Sequence, residues 1–345
     1  MRTIKAANVN HAYNAALWLI KVAGYKETSR NGEVTTVDGP VITMYERPWQ
    51  RMLFDTARDA NPFFHVMEAM WMLAGRNDVA AVSKYASNMT TFSDDGKILN
   101  GAYGHRWREQ FDTDQIDWVI DHLKSDNGSR RAVIAMWDPA NDPWAVTDGS
   151  KDVPCNTTIY SRVTDGKLTM TVSCRSNDIV WGCYGANAVH MSYLHELVAL
   201  GVGIPMGPYY QISNNWHIYP RHYPLMESVS SEFSDPYAWG IEHSPLIHTA
   251  GEPPILFADS LNSLFDGGDD YKAYTYGRDV LQYVKNAWEA YKVGATDTAQ
   301  YEAARIEDPA IFVMCLLPPR RRLLCAPSPY TTPGTSSVST RCVQL

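Results

Sequence analysis

The sequence predicts an α+β fold, and three observations carry that expectation. The stretch "GKLTMTVSCRSND" alternates with a period of two, so Leu168, Met170, Val172 and Cys174 share one face of a strand and Thr169, Thr171, Ser173 and Arg175 the other. Two longer stretches, "NPFFHVMEAMWMLAG" and "GANAVHMSYLHELVALG", are apolar at helical spacing, and each runs into a glycine. Strands and helices of this kind follow one another without the regular βαβ rhythm of a doubly wound sheet.

Taken along the chain, "AALWLIKVAG" is short and interrupted by Lys21, and no small-residue cleavage site follows. It predicts an amphipathic helix and not a signal peptide. The helix from Asn61 is apolar at Phe63, Phe64, Met67, Met70, Trp71 and Leu73 and stops at Gly75. Glu68 stands among these apolar positions, either on a single exposed stripe or as a buried carboxyl. "RRAVIAMWDP" predicts a short buried strand ended by Asp-Pro, and "GANAVHMSYLHELVALG" a helix closed by Gly201. No internal repeat is present. The chain divides into one folded unit over 1–315 and a tail over 316–345. From Pro318 the tail is rich in Pro, Ser, Thr and Arg, has no periodicity and is expected to be disordered.

Composition narrows the partners. A 345-residue chain with 45% apolar and 20% charged residues is that of a globular protein with a substantial core. No apolar run reaches the roughly 20 residues that span a bilayer, so no membrane partner is expected. The net charge of −8 argues against a duplex nucleic-acid partner, though a local arginine cluster suffices for a small phosphate ligand. The six cysteines form no CxxC pair. With no secretory signal, reduced thiols in a cytosolic compartment are expected, and no metal.

Four features hold the candidate chemistry. Cys155 sits in a Pro-Cys turn within "KDVPCNTTIYSRV", before a strand. As a residue type it is a small buried hydrophobe, half of a disulfide, a metal ligand or a nucleophile. Arg30 in "SRNG", Arg130 and Arg131 in "SRRAV", and Arg175 in "CRSND" are either solvated charges or phosphate ligands. Asn187 opens a helix, as a cap or as a ligand-facing amide. "SNNWHIYPRHY" brings His217, Tyr219 and His222 together late in the folded part.

In this order the features resemble the thymidylate synthase and pyrimidine hydroxymethylase superfamily. The resemblance runs from about Arg30 to about His222 through "SRNG", "PFFHVMEAMWMLAG", "NGAYGHRWR", "SRRAVIAMWDP", "PC", "GKLTMTVSCRSND", the Asn187 helix and "HIYPRH". The interval from Cys155 to Arg175 is the family's spacing. The resemblance implies a large mixed sheet with surrounding helices and a sheet-to-sheet homodimer. It implies a pyrimidine nucleoside monophosphate as substrate, 5,10-methylenetetrahydrofolate as co-substrate, and Cys155 as the nucleophile that adds to carbon 6 of the ring. Arg30 and Arg175 then contact the phosphate, which Arg130 and Arg131 reach from the partner subunit, and Ser176 is counted among the substrate-binding residues. Glu68 and Tyr103 organise proton transfers around carbons 4 and 5, and His217 and Tyr219 bind the sugar hydroxyl. Asp178, Trp107 and Gly182 border the folate. Asn187 offers one acceptor and two donors, which match N3–H and O4 of uracil; in the family, Asp here marks cytidylate enzymes, so Asn favours a uridylate.

Departures from the synthase pattern bear on the product. Asn156 follows the nucleophile where synthases usually carry His, and it is counted among the catalytic candidates. "SNMTTFSDDGK" offers only Phe92 where synthases place a tryptophan against the folate, and the chain ends "STRCVQL". Together these three departures predict a site that admits water to an exocyclic methylene, as in the deoxyuridylate hydroxymethylases of phages that modify their DNA. One residue more than the usual synthase spacing separates Arg175 from Asn187, which bears on the uridylate preference and not on the product. Thymidylate synthase is the alternative. A relative that only binds nucleotide or RNA is a second one, opposed by the presence of Cys155, Glu68 and Arg175 together. A zinc deaminase would need PCxxC with an upstream HxE, and the chain has neither.

Overall fold

The computed structural model describes residues 1–227, 229, 235–246 and 253–316. All but the first residue of the expected tail lies outside them. The elements are β1 (Arg2–Ala6), α1 (Val9–Ala23), β2 (Tyr25–Ser29), β3 (Gly32–Thr36), β4 (Val41–Tyr45), α2 (Pro62–Leu73), α3 (Val79–Ser83), α4 (Tyr103–Arg108), α5 (Gln115–Ser125), β5 (Ala132–Ala135), α6 (Asp142–Thr147), β6 (Asn156–Thr164), β7 (Lys167–Asp178), α7 (Asn187–Val202) and β8 (Met206–Ile218). Five further helices follow: α8 (Tyr223–Glu227), α9 (Pro254–Asp266), α10 (Gln282–Lys292), α11 (Thr296–Ala303) and α12 (Pro309–Leu316).

One eight-stranded mixed sheet organises the protein, in the order β1-β4-β8-β7-β6-β5, with β3 of the β2–β3 hairpin joining the end of β8. β6 and β7 are antiparallel, joined by Asp165 and Gly166, both at positive φ as a tight two-residue turn requires. β7 and β8 are parallel and therefore need a crossover, which α7 supplies. The expected alternation of β7 holds. Leu168, Met170, Val172 and Cys174 are buried against the helices, while Thr169 and Thr171 line an open concavity of about 660 Å³ with Ile42, Arg130, Tyr160 and Tyr210.

The expected helices are present, with two instructive differences. α2 starts where Asn61 accepts the Phe64 N–H at 3.1 Å, has Pro62 in its first turn, and is followed by Gly75 at φ 75°. Every residue of α2 is buried, Glu68 included. α7 does not close at Gly201; it runs on to Val202 and ends at Gly203, φ 84°. A Cβ at position 201 would sit 2.5 Å from Ile120 Cδ1, so this glycine serves the close approach of α5 and α7. β5 is not buried on both faces, as "RRAVIAMWDP" suggested. It is the last strand of the sheet, and Val133 is 38% exposed.

Ahead of α7, residues Ile179–Ala186 form a π-helical turn. A π turn takes in one more residue than an α turn, which gives the extra residue between Arg175 and Asn187 a place without breaking the helical run. Asn187 thus lies inside continuous helix. Ala186 before it has helical φ and ψ, and the Asn187 side chain caps nothing.

Candidate active site

The turn that carries Cys155 is held on two sides. Arg175 donates its backbone N–H to the Cys155 carbonyl at 2.8 Å, and its guanidinium donates to the Pro154 and Val153 carbonyls, each at 2.9 Å. Tyr103, at the start of α4, accepts the N–H groups of Cys155 at 3.3 Å and Asn156 at 3.1 Å on its phenolic oxygen. Both lone pairs are engaged, so the Tyr103 proton is free to point elsewhere. Burial, with the neighbouring Cys155, keeps the phenol protonated far above its ordinary range.

The Cys155 thiol is half-buried, and burial pushes its pKa up. Arg175 and, less strongly, Arg30 pull it down, as expected of positive neighbours, but Asp152 opposes them and burial outweighs them. Arg30 stands at the tip of the β2–β3 hairpin. Asn31 of that tip reaches the Tyr219 hydroxyl at 3.4 Å, which ties the hairpin to the end of β8.

A chain of side-chain amides runs beneath this turn. The Tyr209 hydroxyl donates to Gln211 Oε1, Gln211 to Asn156 Oδ1 at 3.2 Å, and Asn156 to Asn187 Oδ1 at 3.0 Å. Asn187 then donates to Asn177 Oδ1 at 3.1 Å, and Asn177 to the Ser213 hydroxyl at 2.9 Å. Each end of the Asn187 amide keeps one site, an acceptor lone pair and an N–H, and that pair complements N3–H and O4 of uracil. Gly182 lies against this chain: a Cβ there would be 2.7 Å from Asn177 Oδ1. Asn156 is corrected in role. Its side chain is wholly buried and bonded at both ends, so it orients Asn187 and does not face a substrate.

One turn further along the Asn187 helix, Glu68 Oε2 lies 3.1 Å from His190 Nε2, both side chains being buried. His65, one turn before Glu68, sets its ring nearly perpendicular to that of His190 at 6.4 Å, and burial keeps His65 neutral.

Asp178 ends β7 and caps the π turn, accepting from Val180 N at 2.8 Å through Oδ1. Its Oδ2 has Arg221 only at 4.0 Å. His217 bonds Asn215 through Nδ1 at 2.7 Å and meets the Tyr219 ring edge-on at 5.1 Å. Burial lowers its pKa against the pull of Asp178 and Glu27. Ser176 lies on β7 one residue past Arg175, opposite Asn215.

Four residues of the expected site stand apart. Trp107 is enclosed in the core with no exposed surface, so its ring offers no folate contact, a correction that follows from α4 packing inward. Arg130 and Arg131 are exposed at the start of β5, and Arg130 borders the open sheet face. Phe92 is 46% exposed at the end of the short helix Ser87–Phe92. Sequence reasoning missed His190, Asn177, Gln211 and Asp152. His190 had a signal, since it follows Asn187 by one helical turn and shares its face.

The thymidylate synthase family model matches residues 11–237. The chain is 46% identical to the deoxyuridylate hydroxymethyltransferase of Pseudomonas phage M6 over 73% of this chain and 74% of that protein. It is 38% identical to the enzyme of the same name from Bacillus phage SP01, over 53% of this chain and half of that one. Among solved structures, thymidylate synthase from T4 phage superposes with a TM-score of 0.55 at 21% identity, over 65% of this chain and 81% of that one, which shows the shared fold. The site geometry therefore stands within a known architecture: the chain belongs to the thymidylate synthase family.

Proposed function

We propose that the protein transfers a one-carbon unit from 5,10-methylenetetrahydrofolate to carbon 5 of deoxyuridylate and releases 5-hydroxymethyldeoxyuridylate. The observation that carries this reading is the placement of Cys155 on a turn gripped by Arg175, with the Asn187 amide beside it offering the uracil pattern. The similarity to phage deoxyuridylate hydroxymethyltransferases supports the product.

In this mechanism the Cys155 thiolate adds to carbon 6 and pushes an electron pair through carbon 5 to O4. Arg175 and Arg30 favour the thiolate and, with Ser176, bind the phosphate. Asn187 holds the N3–H and O4 edge, and His217 with Tyr219 the sugar hydroxyl. The folate supplies a carbon at the formaldehyde oxidation level, and Asp178 Oδ2, paired with Arg221 at 4.0 Å, suits the N–H groups of a pterin. Glu68 and Tyr103 handle the protons at carbons 4 and 5. The enolate's carbon 5 bonds to that one-carbon unit; once carbon 5 has lost its proton and tetrahydrofolate has departed as the leaving group, water adds to the exocyclic methylene, loses a proton, and the Cys155 sulfur is expelled from carbon 6. No hydride moves, so the folate leaves unoxidised.

Arg130 and Arg131 complete the phosphate site of a second copy. The apolar sheet face beside Arg130 is the surface through which a homodimer places them there.

Incubation with deoxyuridylate and methylenetetrahydrofolate tests the reading. The expected outcome is a hydroxymethyl product by mass spectrometry with no dihydrofolate absorbance at 340 nm. A methyl product with dihydrofolate makes the protein a thymidylate synthase instead.

A further inference from the structure

We propose that His190 is the positioning residue for Glu68, so that one helix carries both the side chain that reads the base and the group that fixes the acid–base carboxyl. The inference rests on the function proposed above. Glu68 needs such a partner because α2 gives it none: Phe64, Met67, Trp71 and Met72 around it are buried and apolar. A buried carboxyl with only dispersive neighbours has no preferred orientation, and a buried polar atom left unpaired is costly.

His190 meets that need from across the core. Its Nε2 and Glu68 Oε2 face each other at 3.1 Å, an ion-pair distance without hydrogen-bond alignment, and both atoms are buried with no hydrogen-bond partner among the described residues. A small turn of either side chain brings an Nε2–H into line with the carboxylate, which gives both unpaired atoms a partner. His190 follows Asn187 by one turn of α7, so the distance between the base-reading amide and the imidazole is fixed by helix geometry. A rigid element is the better platform for a group that must stay within a few tenths of an ångström of its working place. The other titratable or charged groups around the pair are His65 on α2, Arg58 ahead of it, and Asp152 in the nucleophile loop.

The test compares His190→Ala and His190→Gln with the wild type as full-length proteins. Three quantities are read: kcat, KM for deoxyuridylate, and tritium release from carbon 5 of the substrate. His190→Ala is expected to lower kcat and tritium release together by about 10- to 100-fold, the scale of lost support for an acid–base group. KM should stay within about threefold, because the phosphate and base contacts remain. Glutamine reaches the same carboxylate with an amide N–H and restores most of the rate. His190→Met, which fills the space without a donor, takes the place of alanine should that variant not fold. An unchanged kcat, a loss confined to KM, or a glutamine variant as poor as alanine overturns the proposal. A wild type that makes thymidylate would overturn the hydroxymethyl reading alone, since tritium release precedes the branch and still decides the role of His190.

Discussion

Arg175 and Cys155 are locked to each other through backbone as well as side chain: the Arg175 N–H meets the Cys155 carbonyl at 2.8 Å while the guanidinium holds the two residues before the cysteine. One arginine thereby shapes the Cys155 turn and lowers the proton affinity of its thiol, and in the proposed mechanism it also presents charge to a phosphate. A point charge cannot do the first of these. Arg175→Lys is expected to lose at least about 100-fold in kcat/KM, because an ammonium has no planar fork to span two carbonyls. Near wild-type kcat/KM in that variant would show that charge alone suffices.

Asp152 is the counterweight. It raises the Cys155 pKa, and burial raises its own in turn. Removing its charge should therefore favour the thiolate. Asp152→Asn is predicted to react with iodoacetamide several-fold faster than wild type near pH 7, with the difference vanishing once both thiols are ionised. Equal rates across that range would mean that Asp152 is screened from the sulfur.

The proposed base choice rests on the amide chain. Asn187→Asp would set a carboxylate against Asn177 Oδ1, two acceptors where 3.1 Å now separates donor from acceptor. Asn177 can turn its amide over, since Ser213 can switch from accepting to donating, so the change should cost only about 1 kcal/mol. Preference should move from deoxyuridylate to deoxycytidylate in kcat/KM ratios. Adding Ser213→Ala removes that escape and should cost a further ~1–2 kcal/mol in urea denaturation. Unchanged base selectivity would place another residue at the pyrimidine edge.

The proposed shared-site dimer is open to complementation. Cys155→Ala and the Arg130→Ala/Arg131→Ala double variant should each be nearly inactive. After mixing, unfolding and refolding, random pairing leaves about a quarter of the sites intact, provided the site is built from two chains as symmetric dimers allow. Persistent inactivity of the mixture, or full activity of the arginine variant, would place both arginines outside the site.

Stability should fall as the solution is acidified from about pH 6.5 towards 4. Burial lowers His195 to about 4 and His65 well below its ordinary value, so in this window the unfolded chain takes up protons that the folded one refuses. Asp308, raised to about 6 by burial, works in the opposite direction and offsets part of the loss. His195→Gln keeps a donor for the Leu168 carbonyl but does not titrate. It should flatten the slope by on the order of 3 kcal/mol across the window. A slope identical to wild type would mean that His195 is protonated in the native state.

Much of this protein was legible in one dimension. Local order needs only neighbours in the chain, so β7, α1 and α2 follow from periodicity. Cys155, Arg175 and Asn187 sit at intervals along a continuous strand-to-helix stretch, which is why their order alone pointed to the family. What failed depended on distant packing. Gly201 read as a helix stop because nothing local says that Ile120 will press against it. β5 read as buried because a strand's place in the sheet order is not written in its own residues.

Asn156 marks the boundary most clearly. Its type and its place after the nucleophile are given by the sequence, and they suggested a group facing the substrate. Only the folded chain turns that amide inward, between Gln211 and Asn187, residues 55 positions on from Asn156 and 31 positions on. The same holds for Glu68 and His190, brought to 3.1 Å from two different helices. Residue identity fixed which chemistry was available; the packing of helices on the sheet decided which groups meet, because a hydrogen bond is set by ångströms in space and not by position in the chain.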